Sequence, residues 1–392
     1  YVCREGRQIF VHTFSRLAGR YLQFHVTGAK SRFVLHYAGM HPTPYPTNWL
    51  GEMALADALH HQINVTAVRT LQLCRHEHYE DCPWREQALW TFDARNQALY
   101  GYHCFGDYGF AAASLRLSAR SQQADGYLEM CAPAHDSRTI PMFSYDWVLA
   151  VADHWLYSGD AATRDELLPA VQRMMRHHLA RVDEALPCPV GEAYWHFYEW
   201  APGLDGSDRG PVPPGQTRYD APLNLMFCLA LQAAQKLSAA TGDEAAAAEF
   251  GAAAVGLLAA VNRLFWNTGE QAYLTFIGKG APRHFAQFTQ SLALLAGAIT
   301  GPAAGELRRR LAEDGNGWTP TTLSHCHYKF EAMLMDKNYY GKVVYDIIGA
   351  LLRALRRGGF ELGRSMFLYP YDWRQRVVDD GPRPAAAIRR LA

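Results

Sequence analysis

No charge of either sign dominates this 392-residue chain, in which Lys plus Arg and Asp plus Glu both number 38. Such a balance gives no footing for nucleic acid or an anionic membrane surface as a partner. Cysteine is sparse, at 8 residues, and no C-x-x-C pair occurs. Free thiols in a reducing compartment are expected, and with them a soluble, cytoplasmic protein. No apolar run reads as long enough to cross a membrane, and residue 1 opens no signal peptide. The chain has no G-x-S-x-G elbow, P-loop or Rossmann fingerprint, which leaves serine nucleophile chemistry and nucleotide binding without support. No strand pattern alternates with its helical stretches, which argues against doubly wound and TIM-type sheets. A repeat of fixed period is also missing, so a regular solenoid is disfavoured.

What the chain does have is apolar mass and aromatic rings. Hydrophobic residues make up 49%, enough for a sizeable core, and aromatics reach 12%, with 10 Trp and 21 Tyr. Flat rings serve cores and sugar-binding surfaces alike. The first 45 residues read as a β segment, with runs at 10–13, 21–26 and 33–37 broken by Gly19 and Gly28. A Pro-rich linker, "GMHPTPYPTNWLG", follows. From there to about residue 355 the pattern is helical, with candidates at 54–74, 84–105, 143–158, 163–183, 219–241, 243–266, 284–299, 302–313 and 329–356. Several are apolar almost all round, which implies burial on more than one side. The expected fold is therefore mainly α, a large helical barrel or toroid with a short N-terminal β segment. Loops at 186–192, 201–217 and 314–322 read either as the rim of a pocket or as surface excursions, and 356–392 reads as a divergent, disordered tail.

The stretch "CRHEHYEDCPWREQALWTFD", Cys74 to Asp93, is the densest in chemistry. Cys74, His76, His78 and Cys82 supply metal-ligand atoms, but C-x-H-x-H-x3-C fits no common zinc spacing. His325 and His327 flank Cys326 in a second small cluster. The carboxylates offer the other reading. With Pro83 in the first turn of a helix, Glu86 and Asp93 share one face, Trp90 lies between them, and Asp81 sits at the helix end. Buried acids on one face repel, and burial raises their pKa, the condition for a proton donor near neutral pH. The plainer alternative is a solvated acidic face paired with Arg85 and Arg95.

The segment "EDCPWREQALWTFDARNQALYGYHCFGD" resembles the catalytic segment of family 78 glycoside hydrolases, the α-L-rhamnosidases. The likeness runs through "RYLQFHV", "VRTLQLC", "AYWHFYEWAPGLDG", "DAPLNLMFCLAL", "FAQFTQSLALLAG" and "YKFEAMLMDKNYYGKVVYDI". It implies an (α/α)6 barrel, a six-hairpin toroid over 46–355, and inverting hydrolysis of terminal α-L-rhamnosides without a cofactor or metal. It also implies Glu86 as general acid, with Asp81 and Asp93 holding sugar hydroxyls and Trp90 as an aromatic wall. The base falls on Glu361 in "RRGGFELG", with Glu331 as its competitor, roughly 6.5–9.5 Å from the acid in an inverting site. Arg85, Glu199, Trp200, His325 and His327 complete the candidate sugar-binding set, while Asp146 and Trp147 fit core packing better. The chain departs from the family pattern at Phe92, where a Gly is usual, and beyond residue 350. Two alternatives follow: a sugar-binding relative without turnover, and a glycosidase of other specificity on the same barrel. Nothing in the sequence indicates an oligomeric state.

Overall fold

The computed structural model describes residues 1–19, 21–51, 57–182, 194–206, 217–313 and 315–357. Eleven helices lie among them: α1 (Ala58–Leu73), α2 (Thr91–Phe105), α3 (Tyr108–Ala119), α4 (Pro141–Ser158), α5 (Ala161–Leu179), α6 (Ala221–Ala240), α7 (Glu244–Phe265), α8 (Gln287–Leu295), α9 (Gly301–Ala312), α10 (Cys326–Leu334) and α11 (Lys337–Arg357). Their packing alternates. The even-numbered helices follow one another around an inner ring, α2 against α4, α4 against α6, α6 against α8 and α8 against α10. The odd-numbered helices form an outer layer, where α3 meets α5 and α5 meets α7. The ring's first and last described members join through side chains, Arg95 Nη1 donating to Tyr328 Oη at 3.0 Å.

Burial explains which sequence goes where. An inner helix has neighbours on every side and must be apolar all round, whereas an outer helix needs one apolar stripe. Inner α6, "APLNLMFCLALQAAQKLSAA", buries 14 of its 20 residues. Outer α5 buries 7 of 19, at positions 163, 167, 168, 171, 174, 175 and 178, the spacing of a single face. By length and composition α7 is apolar enough to span a bilayer, contrary to the sequence reading. In the fold it is an outer helix whose Phe250, Val261 and Phe265 are fully buried.

The two layers also begin differently. Outer helices α1, α3, α5 and α7 start on Asp57, Asp107, Asp160 and Asp243, each accepting a backbone N–H of the first turn. Inner helices α2, α4, α6 and α8 start from extended residues, Trp90, Ile140, Asp220 and Ala286, without a side-chain cap. Two small antiparallel ladders complete the structure, β1 (Arg218–Asp220) with β4 (Phe276–Gly278) and β2 (Trp266–Asn267) with β3 (Ala272–Tyr273).

Three expectations are corrected. Described residues 1–51 form no strand ladder; the β-prone runs at 10–13, 21–26 and 33–37 are exposed and pair with no described strand. The helix expected at 329–356 breaks at Met335–Asp336, where the Asp336 carbonyl accepts from the Tyr340 N–H and opens α11. The helix expected at 84–105 begins only at Thr91, and α3 follows it unforeseen.

Phe250 is fully buried under α7. Phe250→Ala should lower the unfolding free energy by about 3–5 kcal/mol, measured as a lower midpoint in urea at unchanged slope.

Candidate active site

The acid-bearing segment is a turn, not a helix. Pro83 to Glu86 form the turn, and Gln87 adopts a left-handed φ of 52° that ends any helical path. Asp81 closes the loop from both sides. Its N–H donates to the Ala88 carbonyl, and its Oδ1 accepts the Ala88 N–H, each at 3.0 Å. Trp90 then runs extended, bridged to Cys131, and serves as the residue before α2. Glu86, Trp90 and Asp93 therefore do not share a helix face, yet they still meet. The Trp90 indole N–H donates to Glu86 Oε2 at 2.6 Å. Glu86 itself is exposed, whereas Asp81 and Asp93 are buried.

Beyond Trp90 lies a cleft at the N-terminal ends of α2, α4 and α10. Trp90, Phe92 and Asp93 reach it from the start of α2, Ile140 and Phe143 from α4, and Ser324 and His325 from the start of α10. Trp195, Phe197 and Trp200 close the remaining side. The rings form a continuous stack. Phe92 lies parallel to His325 with centroids 4.1 Å apart, and to Phe143 at 5.5 Å. Trp200 packs edge-on against Phe197 at 4.7 Å. Such a wall matches the apolar face of a sugar ring, and the few polar groups fix its orientation.

The buried carboxyls are the electrostatic centre. Burial pushes the Asp81 carboxyl up to about 6, and the Glu86 charge adds to it, against hydrogen bonds from Cys82 and the Ala88 N–H. Burial also raises Asp93 well above the carboxylate range, with Asp81, Glu86 and Asp146 contributing repulsion. The Asp93 position in the first turn of α2 works the other way, because the free N–H groups there favour a negative charge. Behind the cleft, Arg95 pairs with Asp146 and Asp153, both at 2.8 Å, and the Tyr328 hydroxyl donates to Asp146 at 2.6 Å. This network ties α2 to α4 and α10.

Of the residues singled out in the sequence, Trp90, Asp93, Trp200 and His325 line the cleft, and Asp81, Glu86 and Arg85 belong to the turn at its edge. Glu199 is buried and accepts the Thr322 N–H, which steadies the loop leading to His325. His327 sits behind Phe92, its ring 4.0 Å from Tyr328, and burial lowers its pKa well below the imidazole range. Glu331 is exposed on α10 and does not line the cleft. Glu361 lies outside the described residues. The histidines of the alternative metal reading are otherwise engaged: His76 Nδ1 meets Glu80 at 3.1 Å, and His78 Nδ1 meets the Tyr79 carbonyl at 2.8 Å. Sequence reasoning missed Phe92, Ile140, Phe143 and Phe197 as cleft residues. Phe92, Ile140 and Phe143 stand at or beside an inner helix start, and Phe197 lies in the stretch 194–206 before β1, placements visible only once the ring is known.

An alternating ring of inner and outer helices, with an aromatic cleft at the inner N-termini, defines the class of six-hairpin helical barrels. Residues 50–317 match the family described as the bacterial alpha-L-rhamnosidase 6 hairpin glycosidase domain, and the chain belongs to that family, with an (α/α)6 barrel. The chain is similar to the GH78 family rhamnosidase of Bacillus sp. GL1, at 25% identity and a TM-score of 0.72, covering 80% of this chain and 32% of that one. It is similar to a rhamnosidase from Klebsiella oxytoca solved with rhamnose bound, at 22% identity and a TM-score of 0.67, covering 81% and 62%. The fold is shared with a GH63 mannosylglycerate hydrolase from Thermus thermophilus, at 15% identity and a TM-score of 0.55, covering 83% and 99%. The chain thus spans less than two thirds of the length of either rhamnosidase. No curated protein matches it.

Asp81 generates a test in stability. Its folded-state pKa lies above the unfolded value of 3.8, so the folded protein binds more protons across pH 4–6 and loses stability as the carboxyl ionises. The loss is on the order of 3 kcal/mol at pH 7. Asp81→Asn keeps an oxygen for the Ala88 N–H and removes the charge. Its Tm should exceed the parent's at pH 7, with the advantage shrinking below pH 6 and gone below about pH 4.

Proposed function

We propose that this chain is the catalytic barrel of an inverting exo-glycosidase that hydrolyses terminal α-L-rhamnosides. The observation that carries the reading is the placement of Glu86. Its carboxyl is exposed, hydrogen-bonded by the Trp90 indole, and lies beside two buried aspartates at the edge of an aromatic cleft. Membership of the rhamnosidase domain family, and the rhamnose bound by the Klebsiella oxytoca relative, support the choice of sugar.

In this reading Glu86 donates its proton to the glycosidic oxygen as the bond to the anomeric carbon breaks. Positive charge develops on the sugar ring, and the nearby Asp81 and Asp93 carboxyls accept hydrogen bonds from its hydroxyls. The Trp90 N–H stabilises the Glu86 carboxylate left behind. A water attacks the opposite face of the ring and yields its proton to a second carboxylate. Glu361 is proposed for that base, with Glu331 as the alternative. The position of Glu331 outside the cleft wall favours Glu361, and it keeps one other reading alive, a barrel that binds rhamnose without turning it over.

Release of p-nitrophenol from p-nitrophenyl α-L-rhamnoside tests the proposal. Glu86→Gln should lower kcat/KM by about 10²–10⁴-fold, while L-rhamnose still raises the Tm of the variant. NMR of the first-formed sugar should show the β anomer. Undiminished turnover by Glu86→Gln would remove Glu86 as the acid. A wild type that binds rhamnose but releases no nitrophenol would favour the binding protein.

A further inference from the structure

We propose that Arg16 and Gln87 form a clamp that positions the acid-bearing turn, making the N-terminal segment a working part of the site. This rests on the reading of Glu86 as general acid. The turn runs from Asp81 to Ala88, and a single distant residue holds it at both ends. The Arg16 guanidinium pairs with Glu80, the residue immediately before Asp81. The Arg16 carbonyl accepts from Gln87 Nε2 at 3.2 Å, and Gln87 immediately follows Glu86. These contacts cross 64 and 71 positions of sequence, so they are tertiary in origin.

Each half of the clamp is anchored more deeply than a surface contact. Glu80 is fully buried. Its carboxylate also meets His76 Nδ1 at 3.1 Å, and its carbonyl accepts from Gln97 Nε2 of α2 at 2.6 Å. Burial pushes the Glu80 pKa up, but His76 and Arg16 outweigh it and hold the carboxyl below its ordinary value. Without Arg16, a buried negative charge loses its guanidinium partner. On the other side, Gln87 holds a left-handed backbone that costs a non-glycine residue free energy. The same side-chain amide that reaches Arg16 also donates to the Pro83 carbonyl at 2.9 Å, closing the turn across Glu86. Glu86 is exposed, so packing does not fix its carboxyl; the turn and the Trp90 indole do. Arg16 and Gln87 are positioning residues, and neither touches the cleft.

Proton donation matters most when the leaving group is poor, which separates loss of the acid's position from general damage. The experiment compares phenyl and 2,4-dinitrophenyl α-L-rhamnoside, with hydrogen exchange of the intact protein measured in parallel. Arg16→Ala should lower kcat on the phenyl glycoside at least tenfold more than on the dinitrophenyl glycoside, with KM changed less than threefold. Arg16→Lys, which keeps a cation for Glu80, should recover most of the loss. Gln87→Ala, which leaves the Arg16–Glu80 pair intact, should show the same leaving-group split. In both alanine variants, amides of 81–90 should exchange at least tenfold faster while α6 and α7 stay protected. Equal loss on the two substrates, or unchanged exchange at 81–90, would overturn the clamp. If the wild type cleaves neither substrate, the glycosidase reading fails, and exchange alone then decides the clamp in the same two directions.

Discussion

Everything in this molecule follows from the burial of the inner helices on all sides. A helix walled in by neighbours cannot carry charge along its length without partners, because a desolvated ion costs several kcal/mol. Polar chemistry is therefore driven to the helix ends. Outer helices α1, α3, α5 and α7 close their N-termini with aspartate caps, whereas inner α2, α4 and α6 start without a side-chain cap. Where a charge does sit inside an inner helix it is held: Asp146 of α4 accepts from Arg95 and Tyr328 through its Oδ1.

The proposed acid lies beyond this rigid frame. Glu86 stands on a short turn whose shape comes from hydrogen bonds between its ends, from the indole of Trp90 and from the chain's first residues. Rigid cleft and tethered turn have different jobs. The stacked rings of Phe92, Phe143 and His325 set the shape of the cleft that the proposed sugar must fit. The turn brings a solvent-accessible carboxyl to the edge of that shape, where in the proposed reaction a leaving group departs. Two buried aspartates beside it are held against their own stability, a common cost of sites built to bind or react.

Much of this was legible in the sequence, and the failures have physical causes. All-round apolar helices such as "APLNLMFCLALQ" identified a helical barrel, and the candidates at 163–183 and 243–266 return as α5 and α7. Asp81, Glu86, Trp90 and Asp93 were singled out together, and the structure gathers them. The geometry offered for that grouping was wrong. Periodicity places residues 86, 90 and 93 on a helical face, but Gln87 turns left-handed, and tertiary contacts at Arg16 and Cys131 decide the local path. Strand propensity in 1–45 also misled, because a β-prone run forms a ladder only where another strand meets it. Phe92 and Phe143 are core residues; that they also face a cleft depends on which helix ends the ring brings together.

The joint between α2 and α10 has a consequence for how the molecule is made. Arg95 and Tyr328 touch across 233 positions, and Phe92 stacks on His325 across the same seam. Contacts so distant in sequence close late, after nearer hairpins have formed. Until α10 has been synthesised and seated, α2 has no partner at that seam, and the cleft lacks His325 and Ser324. A nascent or interrupted chain thus has a long stretch in which the apolar flank of α2 is uncovered, the state in which large proteins aggregate. The aromatic cleft doubles as a proofreading mark: only a chain that has closed its ring possesses one.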